Sequence, residues 1–104
     1  MMTKSRVLLL SLAWLVGSAS PGFAESTRAH GAALVHACAA CHGPDGHSPG
    51  AIPAFTTLPK ERLVAALRAF RDDTRPGTVM NRIAKGLENV DIEAIAAYLA
   101  VPRK

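Results

Sequence analysis

The chain has 104 residues, enough for one small domain, and its twelve basic and eight acidic residues give a formal charge of +4. Beyond Lys4 and Arg6 the basic residues are interspersed with acids, as in Arg68-Ala69-Phe70-Arg71-Asp72-Asp73. There is no basic stripe interleaved with aromatics, and nucleic-acid binding is excluded.

Residues 1–24 read as a secretory signal peptide. They contain no acid, begin with Lys4 and Arg6, and continue through an apolar run from Val7 to Val16. That run falls short of the roughly 20 apolar residues a membrane-spanning helix needs. Ser18, Ser20, Pro21 and Gly22 loosen the stretch after the run, which argues against an uncleaved anchor. Gly22-Phe23-Ala24 offers small residues for cleavage after Ala24, so the expected mature domain is 25–104, soluble and not inserted in a membrane, with its charge reduced to +2. Sixteen of its apolar residues are alanine, and only Phe55, Phe70 and Tyr98 are aromatic. A domain so poor in large side chains needs something bulky and apolar to complete its core.

From Ser26 to Cys41 the sequence is alanine-rich and free of proline, with Gly31, Leu34 and Cys38 on one face, which predicts a first helix. Gly43 to Gly50 is dense in turn formers, and the loop continues through Ile52-Pro53. Pro59 suits a first helical position. Leu63, Val64, Leu67 and Phe70 then share a stripe with Glu61, Arg62, Arg68 and Arg71 facing away, so a second helix is predicted over 59–72. Arg75-Pro76-Gly77 breaks it, and Val79 and Ile83 mark a short helix closed by Gly86 as a left-handed cap. Asn89 is positioned to cap a last helix with Ile92, Ile95, Ala96 and Leu99 on its buried face, ended by Pro102. No strand signal and no internal repeat occurs, and the class is all-α.

The chain's two cysteines stand in Cys38-Ala39-Ala40-Cys41-His42, the spacing used for covalent attachment of c-type haem. Two thiols three residues apart can reach the two haem vinyl groups, and the next residue swings its imidazole under the iron as proximal ligand. A thioredoxin-like pair would belong to a fold with a central sheet, and no strand precedes this one. A zinc site would need two further ligands drawn from scattered histidines. A structural disulfide across so short a loop gains little chain-entropy stabilisation.

For the other axial position Met80 is the one methionine left after processing, and the break at Pro76-Gly77 lets the chain bring its thioether to the distal face. His36, two residues before Cys38, is expected to point away from the haem, and His30 and His47 to be solvated; bis-His ligation through His47 stays open. The Pro53 carbonyl is expected to accept a hydrogen bond from the free ring N–H of His42, orienting the ring.

These residues carry a resemblance to small class I, single-haem bacterial cytochromes c. It covers residues 26–101, from Gly31 and Leu34 through Cys38-Ala39-Ala40-Cys41-His42-Gly43, Ile52-Pro53 and Met80 to Ala97-Tyr98-Leu99. The segments Arg75 to Gly86 and Asp91 to Tyr98 are similar to the cytochrome subunit of flavocytochrome c sulfide dehydrogenases. Where relatives commonly have a glycine-containing turn after the Ile-Pro pair, this chain has Phe55-Thr56-Thr57.

The resemblance implies three to four helices wrapped around one covalently attached haem, with the first and last crossing at Gly31 and Tyr98. It also implies maturation outside the cytoplasm, in the periplasm. The expected function is one-electron transfer, as a free shuttle or as the cytochrome subunit of a flavoprotein (sulfide) dehydrogenase, with redox proteins as partners. The apolar pocket is expected from Leu34, Phe55, Leu58, Leu67, Val79, Ile83, Ile95 and Leu99, with Arg75, Arg82 and Lys85 as candidate steering charges. The alternative is a haem enzyme or gas sensor with an open or exchangeable distal position, for which the sequence offers only His47 or Arg82 as a distal polar group.

Overall fold

The computed structural model describes Gly17 and residues 21–100. Most of the expected leader, and Pro102, lie outside the described residues. Among those described there are four α-helices and no strand: α1 (Pro21–His42), α2 (Lys60–Arg71), α3 (Met80–Lys85) and α4 (Asn89–Ala100), with a 3-10 turn at Pro44–Gly46.

The first helix starts five residues earlier than the alanine pattern suggests. Pro21 sits at its first position, where a missing N–H is no loss, and nothing between Pro21 and Ser26 breaks the helix. α1 buries Gly31 and Val35 against α4. A Cβ at Gly31 would run into the Ala94 carbonyl and meet the Tyr98 Cβ at 3.0 Å, so the close approach of the α4 backbone requires glycine here. His30 adds a polar clamp, its Nε2 standing 2.7 Å from Asp91 Oδ1. His30 is therefore paired at the helix crossing rather than simply solvated.

α2 places Leu63 and Val64 in the core with Ile92 and Ala96 of α4, and Phe55, Leu67, Leu87 and Leu99 pack around them. Arg68 and Arg71 do not face away as the helical stripe suggests. Their long stems carry the guanidinium groups across to α4, where Arg68 pairs with Glu93 at 3.0 Å and Arg71 donates to Asn89 Oδ1 at 2.9 Å. α4 is buried on two sides, Ala94 facing α1 while Ile92 and Ala96 enter the core cluster.

Three further helix boundaries differ from expectation. Pro59 is an extended N-cap (φ −62°, ψ 155°) rather than the first helical residue of α2. Gly86 closes α3 in right-handed geometry (φ −80°), because Gly86 N–H bonds Ile83 O at 3.1 Å in a tightened last turn and no left-handed step is required. Asn89 is inside α4, its side chain taken by Arg71, and the cap comes from Asp91, whose Oδ2 accepts the Glu88 N–H at 2.7 Å. That bond, followed by the one to His30, holds the Asp91 carboxyl below its ordinary value.

Candidate haem site

Cys38 and Cys41 lie on the last turns of α1, three residues apart and so on one face, as free thiols. Cys38 is half-buried, with its Sγ 3.7 Å from Leu34 O, while Cys41 is exposed. Burial pushes the Cys38 thiol above its ordinary pKa, partly offset by a backbone hydrogen bond, so it is protonated at neutral pH.

His42 is the last residue of α1, and two glycines decide where its ring goes. Gly43 (φ +80°) ends the helix; a Cβ there would strike the His47 carbonyl. Gly46 (φ +78°) closes the 3-10 turn, and its Cβ position is filled by the Phe55 ring. The Gly46 carbonyl also receives the Phe55 N–H at 3.2 Å. Phe55 in turn tilts against His42, centroids 4.8 Å apart at 48°. The departure at Phe55-Thr56-Thr57 thus supplies a side wall for the imidazole. Opposite constraints meet at the ring itself: His42 Nδ1–H donates to Pro53 O at 2.6 Å. A carbonyl can only accept, so Nδ1 carries the proton and the Nε2 lone pair is left for a metal.

Met80 stands on a different element, as the half-buried first residue of α3. His36 and His47 are exposed. Among the described residues no group of three His, Cys, Asp or Glu is placed to hold a metal ion, so the zinc alternative gains no site. Of the expected pocket residues, Ile95 is buried and Leu34, Phe55, Leu67 and Leu99 are half-buried. Leu58 (39%), Val79 (56%) and Ile83 (47%) are exposed, contrary to a core assignment, because no other element among the described residues covers them. Ile52 shares that character at 44%, and all four flank Pro53 or Met80 in sequence. Isolated exposed aliphatics are ordinary, but this set lies in the two segments that carry the candidate ligand Met80 and Pro53, the hydrogen-bond acceptor of His42. The donor set fits haem c: two thiols on one face, an imidazole with Nε2 uncommitted, a separate thioether and aliphatic neighbours.

The steering cations are partly corrected. Arg75, Arg82 and Lys85 are all exposed, but Lys85 is paired with Asp73 at 2.6 Å and the Arg75 guanidinium lies 4.8 Å over the Phe70 ring, so Arg82 alone among these three has neither contact. Sequence reasoning did not single out Asn81 or Asp73. A polar amide directly after the candidate ligand, at a helix start next to a Pro-Gly turn, was the available signal for Asn81.

The family model for cytochrome c matches residues 28–101. The chain is 38% identical over 81 residues to the cytochrome subunit of sulfide dehydrogenase of Chlorobaculum tepidum, covering 78% of this chain and 74% of that one. It is 35% identical to cytochrome c-553 of Desulfomicrobium norvegicum, across 60% of this chain and 81% of the other. The thiosulfate dehydrogenase electron acceptor of Stutzerimonas stutzeri is 37% identical over 61% of this chain, which spans only 31% of that protein. Two thiols and an oriented imidazole on one helix end, in a four-helix frame that this family model spans almost from end to end, make the chain a member of the cytochrome c family, a small class I electron-transfer protein that carries covalent haem c.

Proposed function

We propose that the protein is a periplasmic one-electron carrier whose iron is held by His42 and Met80, with Cys38 and Cys41 as the thioether anchors and residues 1–24 removed as a leader after Ala24. The observation that carries this reading is the 2.6 Å bond from His42 Nδ1–H to Pro53 O, which fixes the tautomer and leaves Nε2 free to bind iron. When bound, haem c supplies the Fe(III)/Fe(II) couple. Phe55 packs against the ring from the side and would help hold the imidazole in place. Met80 as a thioether favours reduced iron and raises the potential relative to bis-His ligation. Half-buried Leu34, Leu67 and Leu99 would disfavour the extra charge of the oxidised form to the extent that they line the haem.

The similarity to the sulfide dehydrogenase subunit supports a redox protein as partner, with a flavoprotein dehydrogenase as the specific candidate and a free shuttle as the other form of the same function. No helix among the described residues is long and apolar enough to cross a membrane.

The test is the visible spectrum of protein secreted by a host that matures c-type cytochromes. Covalent haem with the far-red thioether-to-iron band, abolished by Met80→Ala, is the expected result. Covalent haem lacking that band, with rapid carbon monoxide binding to the reduced protein, would replace the carrier by an open-site haem protein. Co-purification with a flavin-containing protein from native extract would select the subunit over the shuttle.

A further inference from the structure

We propose that Asn81 is a positioning residue that holds Met80 at the iron, forming with Asp73 a latch on the α2–α3 loop. The inference rests on the reading of Met80 as axial ligand. Asn81 follows Met80 in the first turn of α3, so whatever fixes the Asn81 side chain fixes the peptide that bears the thioether. Its Nδ2 faces three acceptors: Phe70 O at 3.1 Å, Arg75 O at 2.9 Å and Asp73 Oδ1 at 3.2 Å. Those oxygens belong to the last turn of α2 and to the loop beyond it, so one carboxamide ties both to the start of α3.

The geometry of the surrounding loop agrees. Asn81 Oδ1 is buried with no hydrogen-bond partner, and rotating the amide would set that oxygen against three other oxygens. The donor contacts therefore decide the orientation, and the unpaired oxygen is the consequence. Asp73 has φ +57°, a left-handed conformation that a non-glycine residue keeps only when its surroundings over-determine it. Lys85, at the far end of α3, holds the Asp73 carboxylate at 2.6 Å. Gly77 leaves room for the fold-back: a Cβ there would meet Asn81 Oδ1 and the Phe70 ring at 3.0 Å each.

A thioether is a weak, exchangeable iron ligand, so its occupancy depends on how well the segment that bears it is held in place. The latch supplies that order from side chains outside the candidate ligand set.

The experiment compares holoprotein carrying Asn81→Ala, Asn81→Asp, Asp73→Asn or Arg68→Ala with the parent. The readouts are the thioether-to-iron band, imidazole affinity of the oxidised form and reduction potential. Both Asn81 variants should retain covalent haem, weaken or lose the band, bind imidazole about tenfold more tightly and show a lower potential; tenfold is what one net hydrogen bond corresponds to. Asp73→Asn keeps an acceptor oxygen and tolerates the left-handed conformation, so its band should persist. Arg68→Ala, which removes an ion pair elsewhere, should leave band and affinity unchanged. Parental band and affinity in both Asn81 variants would overturn the latch while leaving Met80 as ligand. Loss of the band in Asp73→Asn and Arg68→Ala as well would mean that it follows general stability, and would also overturn the latch. Absence of the band from the parent would remove the Met80 reading and the latch together, and is seen before any substitution is made.

Discussion

The loop after α1 and the loop before α3 are both rich in turn residues, yet they hold their candidate ligands by different means. His42 is fixed by backbone: Gly43 and Gly46 adopt conformations other residues avoid, and the Pro53 carbonyl takes the ring proton. Among the described residues the Met80 side chain has no such backbone partner, and the loop before it is held by the Asn81 carboxamide, with Asp73 and Lys85 behind. The difference matches the chemistry expected of each side. The imidazole belongs to the attachment motif, whereas the thioether is remote in sequence and must be delivered by a folded loop.

Substituting one glycine on each side puts this contrast under the greatest stress. Gly46→Val combines a disfavoured positive φ with a clash against Phe55, and should abolish covalent haem yield in the maturing host, read by haem-stained gel. Gly77→Ala, at ordinary φ and with neighbours at 3.0 Å, should leave covalent haem in place and diminish only the thioether band. Equal loss of haem in both would deny that the two sides are held separately.

Ile92→Ala removes the largest fully buried side chain of the core that both sides share. It should lower the unfolding free energy of the holoprotein by about 2–5 kcal/mol in denaturant melts, with both ligands retained at rest. The α1–α4 crossing adds a pH dependence. The Asp91 carboxyl is lowered by the Glu88 N–H and by His30, so its stabilising contribution is complete above the ordinary carboxylate pKa of 3.8 and lost as pH falls through the lower folded value. Asp91→Asn should therefore reduce stability at neutral pH and flatten its fall in acid, and parallel acid profiles for parent and variant would refute the assignment. The smallest effect belongs to Arg68→Ala. Its pairing with Glu93 is more than two-fifths exposed on both sides, and its loss should shift stability by no more than about 1 kcal/mol.

Much of this protein is written locally. The Cys38-Ala39-Ala40-Cys41-His42 string needs no long-range information, since helix geometry alone sets two thiols on one face and an imidazole beside them. The helices follow from alanine content, apolar spacing and proline breaks, and Gly31 and Tyr98 meet α4 and α1 as the resemblance implies. Boundaries were less legible, because Pro59, Gly86 and Asn89 each suit more than one cap geometry and neighbouring hydrogen bonds chose among them.

Tertiary structure alone decided which polar side chains act across the chain. Arg68 and Arg71 look solvent-facing on a helical wheel, yet reach α4; His30 looks like a surface histidine, yet clamps Asp91; Asn81 looks like a surface residue, yet gathers three acceptors from eleven, eight and six residues away. Apolar periodicity reports which face is buried because burial is non-directional and repeats with the helix. A hydrogen bond depends on one distance and one angle between groups the sequence does not place side by side, and only the assembled fold supplies them.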